Sequence, residues 1–558
     1  MIVTMVNLEE NSTIISETTK LVKDISSLFL SEKFSDVTLI LDNERFFAHK
    51  VILAARSSYF ADLLYDGKQE IEQSELTISL DTSPDAFRSV LQFLYTGSIT
   101  ISPSDFDPTL DLTSLAHRCS LTDFEYAIAN QIKSVLSLKN ICSTLNTANL
   151  YELVEIRDAC HSFADRHALE IIDKDCFQGL SQKSLIKVLE RDTFFAPELE
   201  IFKRVAQWCQ KNNDVDGLLV KCVRLSWLSV VEIVSIVWPS KLVDCEDLLQ
   251  AIAEAVEVKP RKSKCRAKLL SGVNVATSEH KAVVTTGRRN IKELLSGNRN
   301  ISLHADHDIT TTEKNGITIK FGYPLVINHI HMMLWDGGVR FYQYYIEVST
   351  DEKNWKMVVD YRQYACRSVQ NLYFEKVITQ YIRVVGTHNS AHNEFHLVFF
   401  EAYFKDEIPK IVNDIVCPIT NVATKDKKAM VVEGVNGAAL LDGITSNYGN
   451  YTHHVIGSGS IIVQLAQPFM LSSMKLLLWN NDSRFYKYYI EVSINKSEWT
   501  MIADHRNEEN KSWQIIHFSE RPIVFIRITG TGASAGTGNA LHLLHFECPV
   551  SDEVPIYK

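Results

Sequence analysis

The sequence predicts a multidomain α+β protein with two antiparallel β-sandwich domains in its C-terminal half. The strongest observation is an internal repeat, because Arg340–Ser349 returns as Arg484–Ser493 with a single difference. A second observation is the helical spacing of apolar residues across much of the N-terminal half. The chain of 558 residues also exceeds what one hydrophobic core organises. We therefore expect several domains, with two related ones at the C-terminal end.

Residues 34–97 have the pattern of a small α/β domain. Apolar residues alternate from Val37 to Leu41, which predicts a strand, and the triplet DNE that follows predicts a tight reversal into a second strand. An amphipathic helix should begin at Pro84. The motifs SDV, AHKVILAARSSYF and FLYTG make this stretch resemble the BTB/POZ domain, which we place at residues 17–132.

The BTB/POZ resemblance implies a homodimer. In that family the helix before the domain packs across a two-fold axis, and Leu21, Ile25 and Leu28 lie on one stripe of such a helix here. Asp36 and Lys50 match a charged pair that the family places near the dimer interface. The alternative is that both are solvated charges on a monomer.

The same resemblance implies a binding site for cullin-3. Cullin-binding BTB domains carry a hydrophobic-x-Glu motif, and the matching triplet here is Lys68-Gln69-Glu70, close to Tyr65. Glu70 is kept, whereas lysine replaces the apolar anchor. Losing such an anchor costs roughly 1–3 kcal/mol of binding free energy, unless the aliphatic stem of Lys68 covers part of the same surface.

The next part of the chain, residues 138–258, is helical in pattern. Its segments IFKRVAQWCQKN and VRLSWLS resemble the BACK domain, the helical module that follows BTB in many ubiquitin-ligase adaptors. The segment KPRKSKCRAK then contains basic residues and no acidic one, which predicts a linker at residues 259–270. We expect a solvated tether, and the alternative is a nuclear-import or nucleic-acid patch.

Each repeat unit has the period of two that is typical of strands. In YYIEVS, Tyr344, Ile346 and Val348 point to one face, and turn residues interrupt the alternating runs. The order LW, R, YYIEVS, W, IR and a closing FE resembles the coagulation factor 5/8 type C, or discoidin-like, jelly roll. We place two such domains at residues 271–405 and 417–550.

Charged residues follow the tryptophan-containing strand in both units. Arg340 and Arg484 are the candidates for partner binding, with Asp336 and Asp482 nearby. Their recurrence predicts an ion bridge at the base of each loop, and a ligand contact is the alternative. Because the units differ in their loops, we expect one composite binding surface rather than two identical sites.

Other groups with chemical potential are interpreted as structural. The segment HADHD at His304–Asp308 could offer metal ligands, but we predict a solvated loop without a counterpart in the second unit. His396 and His542 recur beside a strand and are predicted as hydrogen-bonded core residues. Cys417 and Cys548 bracket the second unit, and we expect them to be close in space and reduced.

The tryptophans recur at matching positions, and we predict them first of all as core residues. They are Trp335, Trp355, Trp479 and Trp499.

Composition and motifs exclude several classes of function. The net charge is −11, so no basic field favours nucleic acid or anionic membrane. The N-terminus has no basic region typical of a signal peptide, and eleven cysteines without a CxxC pair indicate a reducing compartment. Phosphate-binding, nucleophile-elbow and zinc-protease motifs are absent from the sequence. We expect a cytoplasmic binding protein with no catalytic residue, metal or cofactor.

The resemblances together imply a dimeric substrate adaptor of a cullin-3 RING ubiquitin ligase. BTB and BACK would bind the cullin, and the jelly rolls would recruit a protein substrate whose identity the sequence does not indicate. The alternative is a dimeric scaffold without a ligase role, which binds protein partners or a small or carbohydrate ligand through the jelly-roll loops.

Overall fold

The computed structural model describes residues 3–6, 13–16, 18–66, 74–100, 106–173, 175–213, 217–257, 264–310, 316–534 and 539–550. The chain divides into two units, residues 1–264 and residues 265–558. Within the described residues, no helix combines the length and the apolar character needed to cross a bilayer.

The first unit begins with a hairpin and an α/β domain. Its elements are β1 (Val3–Val6), β2 (Thr13–Ser16), α1 (Thr18–Ser26), β3 (Val37–Leu41), β4 (Glu44–Ala48), α2 (Lys50–Arg56), α3 (Ser58–Ala61), a π-helical turn (Asp62–Asp66), β5 (Glu75–Thr77), α4 (Pro84–Thr96), α5 (Phe106–Arg118) and α6 (Thr122–Val135). Strand β3 lies between β4, which is antiparallel to it, and β5, which is parallel.

The reversal between β3 and β4 forms where the sequence predicts it. Leu41 pairs with Glu44 across the turn. Asp42 and Asn43 have φ values of 47° and 67°. Both residue types tolerate the left-handed region, and a two-residue turn of this kind matches the twist of the flanking strands.

Helix α4 begins at Pro84, as predicted. The Ser83 side chain accepts a hydrogen bond from the Ala86 N–H, and Pro84 occupies the first turn, where its missing N–H leaves nothing unpaired. Gly97 ends the helix in the left-handed conformation. The residues of its buried face include Phe87, Val90, Leu91 and Leu94.

The rest of the first unit is helical. Its elements are α7 (Ile141–Leu150), α8 (Val154–Arg166), α9 (Ala168–Asp173), α10 (Gln182–Leu189), α11 (Glu198–Asn212), α12 (Leu218–Lys221), α13 (Val230–Glu232) and α14 (Cys245–Ala255), with 3-10 turns at Asp175–Gly179, Leu225–Trp227 and Trp238–Ser240 and a π turn at Ile233–Val237. Their buried apolar residues form one continuous cluster with those of the α/β domain.

The second unit contains the repeat. The strands of its first copy are β6 (Val283–Thr286), β7 (Ala305–Asp308), β8 (Ile317–Leu334), β9 (Tyr342–Ser349), β10 (Lys356–Cys366), β11 (Val369–Asn389) and β12 (Glu394–Tyr403). A short hairpin follows, formed by β13 (Ile411–Val412) and β14 (Ile415–Val416). The strands of the second copy are β15 (Met430–Glu433), β16 (Thr452–Val455), β17 (Ile461–Leu478), β18 (Tyr486–Ser493), β19 (Thr500–Asn510), β20 (Trp513–Ala533) and β21 (Ala540–Glu547).

The two copies share one antiparallel topology. The first has the order β10–β9–β11–β8–β12–β7, and the second has β19–β18–β20–β17–β21–β16. The register also repeats, since Ile346 faces Val384 in the first copy and Ile490 faces Ile528 in the second. Each copy has its own apolar core. The predicted pair of antiparallel sandwiches is confirmed.

The copies meet through buried polar groups. The Gln370 amide donates to the Ala466 carbonyl at 2.9 Å. The Asn371 N–H donates to the Gln467 amide oxygen at 2.6 Å, and the Gln467 amide donates back to the Asn371 carbonyl at 3.0 Å. A small apolar cluster lies beside these bonds and includes Ala365, Ile462, Val524 and Phe525. Because these groups are buried and mutually satisfied, the two sandwiches have a fixed relative orientation.

The C-terminal part of the predicted basic linker at residues 259–270 packs on the second unit. Residues 258–263 lie outside the described residues, but Ala267 is fully buried. The Lys268 N–H donates to the Pro324 carbonyl at 2.9 Å. Residues 265–270 therefore pack against β8, and the prediction of a solvated tether is wrong for them because Ala267 and Leu269 supply apolar contacts.

Candidate functional site

Both copies carry the same set of aromatic and basic side chains just after β8 and β17, which end at Leu334 and Leu478. In the first copy, the Trp335 N–H donates to the His396 carbonyl at 3.3 Å. The Arg340 guanidinium lies over the Trp335 ring, 3.9 Å from its centroid. The Tyr342 hydroxyl is 3.3 Å from Nδ1 of His396. Burial raises the pKa of Tyr342 to about 12 and lowers the pKa of His396.

The second copy repeats this set with Trp479, Arg484, Tyr486 and His542. Arg484 lies 3.7 Å from the Trp479 centroid, and the Tyr486 hydroxyl is 3.2 Å from Nδ1 of His542. Burial lowers the pKa of His542 to about 4. The two histidines are buried and hydrogen-bonded, as predicted.

The two copies differ in what holds the arginine. The Asp482 carboxylate accepts two hydrogen bonds from Arg484, at 2.8 Å and 2.7 Å, and this pairing lowers the pKa of Asp482 to about 2. At the matching position, counted from the tryptophan, the first copy has Gly338. Among the described residues, Arg340 forms no ion pair.

Asp336 does not form the bridge that the recurrence predicts. Its carboxylate accepts a hydrogen bond from the Ser368 hydroxyl at 2.5 Å. The matching residue of the second copy is Asn480, whose amide donates to the Ser512 hydroxyl at 2.9 Å. Asp336 thus fixes a turn, and the predicted ion bridge is correct for the second copy and wrong for the first.

The HADHD segment is a buried strand, so the prediction of a solvated loop is wrong. It forms β7, which pairs with β12 along its length. His307 is buried, and its Nε2 accepts a hydrogen bond from the Gly386 N–H at 2.8 Å. Across the described parts of the chain, no group of three or more His, Cys, Asp or Glu residues could hold a metal ion.

The segment also has a counterpart, contrary to the sequence comparison. Strand β16 pairs with β21 in the register in which β7 pairs with β12. This aligns THHV of the second copy with ADHD of the first. His454 matches His307, and its Nε2 accepts from the Gly530 N–H at 2.8 Å. The two histidines recur as backbone acceptors, while the residues around them differ.

A charge network surrounds β7 in the first copy. The fully buried Asp306 accepts from Arg288 at 2.8 Å and lies 3.4 Å from Arg289. Glu394 accepts from the same two arginines at 2.9 Å and 3.1 Å. The matching residues of the second copy carry no such network and are Val435, Asn436, His453 and Ala540.

A pocket of about 540 Å³ lies beside this set of side chains in the first copy, and we name it the Arg340 pocket. Its lining includes Arg289, Trp335, Arg340, Glu394 and the histidines His304, His392 and His396. Nδ1 of His304 donates to the Ile301 carbonyl at 3.1 Å. Its buried Nε2 has no hydrogen-bond partner within the described residues.

Of the residues that line this pocket, the sequence predicts Arg340 alone as a partner residue. Arg289, His304, His392 and Glu394 were not among the predicted partner residues. The signal that could have found them is the strand register, because aligning THHV with ADHD shows that charged residues of one copy are neutral in the other.

The tryptophans are half-buried, so the prediction of core positions is wrong for them. Trp355 and Trp499 each have a guanidinium over the ring, Arg383 at 3.9 Å and Arg527 at 4.0 Å. Trp335 has the same arrangement with its own arginine, as does its counterpart in the second copy. Their large rings therefore bridge the sheet surface and solvent through a stacked cation.

Cys417 and Cys548 are free thiols, as are the other cysteines of the chain. Cys548 is fully buried, and burial raises its pKa. That the two cysteines lie close in space and are reduced stays a prediction.

The predicted dimer residues differ in their exposure to solvent. Leu21 is 60% exposed, whereas Ile25 and Leu28 are partly buried against the domain core. The Asp36 carboxylate accepts a hydrogen bond from the Lys50 N–H at 2.7 Å, so it caps α2. The α1 stripe thus has a packed part and an exposed apolar part.

The predicted cullin residues are only partly placed. Tyr65 lies in the π-helical turn after α3, and it is 50% exposed. Lys68 and Glu70 lie outside the described residues.

Comparison with protein families assigns each part of the chain. The BTB/POZ domain model matches residues 25–120, and the model described as BTB And C-terminal Kelch (BACK) matches residues 141–238. The F5/8 type C domain model matches residues 274–399 and 425–543. BTB/POZ domain-containing protein 9 of Bos taurus is 41% identical over 535 residues, which are 94% of this chain and 87% of that protein. This chain belongs to the BTB/POZ domain-containing protein 9 family.

Members of the BTB/POZ domain-containing protein 9 family from distant animals match at the same level. The protein of Drosophila melanogaster is 41% identical over 540 residues, which cover 95% of this chain and 74% of that protein. Human Kelch-like protein 17 is 28% identical over 225 residues, or 38% of this chain and 34% of that protein. The family therefore shares a BTB–BACK architecture with Kelch-like proteins and adds two F5/8 type C domains.

Proposed function

We propose that this protein is a dimeric, cytoplasmic substrate adaptor of a cullin-3 RING ubiquitin ligase. The observation that carries the proposal is the order of its domains, because a BTB domain followed directly by BACK is the arrangement of Kelch-like proteins. The adaptor performs no chemistry itself. It brings a protein substrate to the ligase.

The BTB and BACK domains would contact the cullin and a second copy of the chain. The half-exposed Tyr65, at the end of the turn after α3, supports a contact surface there. Lys68 and Glu70 follow it in sequence as the matching triplet. The exposed part of the α1 stripe, with Leu21, supports dimerisation.

The F5/8 type C pair would recruit the substrate. Buried hydrogen bonds hold its two copies in one relative orientation, which would keep the positions of their loops fixed. A dimer would present two such surfaces, which raises the effective concentration for a target with more than one binding motif.

The test measures binding of immobilised full-length protein to the N-terminal region of cullin-3. We expect Tyr65→Ala and Glu70→Ala each to weaken binding about 10-fold or more, since loss of an interface hot spot costs about 2 kcal/mol. Tyr126→Ala is the matched control, because Tyr126 is an exposed tyrosine on α6 and should leave binding unchanged.

A scaffold without a ligase role is the second candidate, and Lys68 favours it because it replaces the apolar anchor of the cullin motif. Cullin-3 binding separates the two functions, and light scattering on the same samples tests the dimer that both require. A dimeric wild-type protein that does not bind cullin-3 would contradict the adaptor and support the scaffold.

A further inference from the structure

We propose that the Arg340 pocket binds a carboxylate of a peptide segment in the recruited protein, and that the second copy cannot do so because Asp482 already occupies its arginine. The proposal rests on the proposed function for its protein partner. It goes further by naming the chemical class that the surface recognises and the copy that recognises it.

The charge of the pocket selects a single negative group. Arg288 and Arg289 are matched by Asp306 and Glu394, so this network of two guanidiniums and two carboxylates is neutral. Arg340 adds one positive charge without a carboxylate partner among the described residues. One carboxylate completes the balance, whereas a phosphate dianion would meet Glu394 with excess negative charge.

The Trp335 ring, which lines the pocket, is already stacked by Arg340. Arg340 covers one face of Trp335 at 3.9 Å, so that face is not open to a sugar ring. The stacking also fixes the guanidinium, whose N–H groups remain in the plane where a carboxylate binds. The pocket therefore presents an oriented guanidinium to a ligand rather than an open aromatic face.

His304 forms part of the pocket wall. Its Nδ1 donates to the Ile301 carbonyl at 3.1 Å, and its ring lies 4.5 Å from that of His396. The pocket of about 540 Å³ is large enough for an acidic side chain with its neighbouring backbone.

In the second copy, a carboxylate of the chain itself takes the position where the ligand carboxylate would bind in the first copy. Asp482 bonds Arg484 through two contacts at 2.8 Å and 2.7 Å, so the carboxylate that the first copy lacks is built into the loop. The Tyr448 carbonyl accepts from the indole N–H of Trp479 at 2.8 Å, and the Tyr451 ring packs on His542 at 4.7 Å. Tyr451 stands where the first copy has His304.

The test uses an array of nine-residue peptides with blocked ends, each carrying a central Glu or the isosteric Gln in otherwise neutral sequences. Full-length wild-type protein should bind the best Glu peptides about 10-fold more strongly than their Gln partners. Arms with a free C-terminal carboxylate distinguish a chain terminus from a side chain, and binding by either supports the proposal. Arms with phosphoserine and with neutral glycans test the other classes.

Two variants locate the site. Gly338→Asp should abolish the preference for Glu, because it rebuilds the second copy's bridge beside Arg340. A Cβ at Gly338 meets nothing closer than Trp335 at 3.9 Å, and the backbone there is not left-handed, so this variant should fold. Gly338→Asn is the neutral control and should keep the preference. Arg340→Gln should lose it, whereas Arg484→Gln should not.

Several results would overturn the proposal: equal binding of Glu and Gln peptides, stronger binding of phosphoserine peptides or neutral glycans than of Glu peptides, or equal losses in Arg340→Gln and Arg484→Gln. Thermal unfolding of each variant identifies loss of fold, and Gly338→Asp then decides the question. Cullin-3 binding is measured on the same samples. Loss of peptide selectivity with cullin binding intact rejects the pocket alone, and the reverse rejects the ligase role alone.

Discussion

His329 is a buried ring that makes stacking contacts and no hydrogen bond. It lies 4.2 Å from the Tyr373 centroid and 5.5 Å from that of Tyr403, and both of its nitrogens lack a partner within the described residues. Burial lowers its pKa to about 4, helped by the positive charges of His331 and Lys405. The neutral ring therefore acts here as an aromatic side chain.

Replacing His329 with Phe should remove a source of acid sensitivity. The folded pKa is about 4 and the unfolded value about 6.5, so the unfolded chain binds more protons between these values. The stability contribution of the neutral histidine is complete above pH 6.5 and is lost as the pH falls towards 4. Urea unfolding at several pH values should show this. The free energy of unfolding of His329→Phe relative to wild type should rise by about 1.4 kcal/mol for each pH unit that the pH falls within this window.

The exposed His388→Phe in the same copy is the control and should not change the pH profile. A pH-independent difference between His329→Phe and wild type would show that the histidine is not neutral in the folded protein.

At the scale of elements, sequence patterns identify features that depend on local chemistry. The turn at Asp42-Asn43 and the helix start at Pro84 follow from backbone preferences of single residues, and both are found as predicted. The strand at residues 305–308 was missed, because polar residues such as Asp306 and His307 have no strand-like alternation. Their burial depends on arginines and backbone groups that are distant in sequence, so no local pattern reports it.

In the candidate site, too, the sequence predicts some features, and others depend on the three-dimensional structure. Repetition alone identifies Arg340 and Arg484, because the motif around them is nearly identical in both copies. It does not show that Asp482 holds one arginine and that Gly338 leaves the other without a carboxylate. The difference between Gly338 and Asp482 decides whether the arginine is paired, and only the structure shows that the two side chains meet.

The cap of α4 gives a prediction for a single element. Ser83→Ala removes the side chain that accepts from the Ala86 N–H at 3.2 Å, and it should lower the free energy of unfolding by about 1 kcal/mol. Ser89→Ala, inside the same helix, is the matched control and should have little effect, because alanine favours helix. Thermal unfolding of the full chain measures both. An equal effect of the two variants would contradict the role of the cap.

At the scale of the whole molecule, the two copies of the repeat are joined by contacts that matching residues make in one copy and not in the other. Gln370 and Gln514 occupy matching positions and each accepts from a core tyrosine, at 2.9 Å and 3.4 Å. Gln370 also donates to the Ala466 carbonyl of the other copy, whereas Gln514 donates to Lys511 and Trp513 of its own copy. The same residue type thus joins the copies at one place and serves one copy at the other.

The double variant Gln370→Ala/Gln467→Ala should uncouple the two sandwiches. It removes the Gln467 contacts of the Asn371 N–H and carbonyl, which costs about 1–3 kcal/mol for each group. It also removes the Gln370 bond to the Ala466 carbonyl, which keeps the Arg367 N–H as a donor. Calorimetry should show the transition of the F5/8 type C pair splitting into two, and proteolysis between residues 404 and 415 should become faster. Gln514→Ala is the control for loss of a buried amide, and it should lower stability without splitting the transition. A single transition in the double variant would refute the coupling.

The bridge between Asp482 and Arg484 also sets how many ligands one assembly holds. A carboxylate two residues from its arginine has an effective concentration far above that of any dissolved competitor. We therefore expect the second copy to be occupied by its own carboxylate, so that each polypeptide offers one open arginine site. A dimer of the proposed adaptor should then bind two acidic segments, although it would contain four F5/8 type C domains.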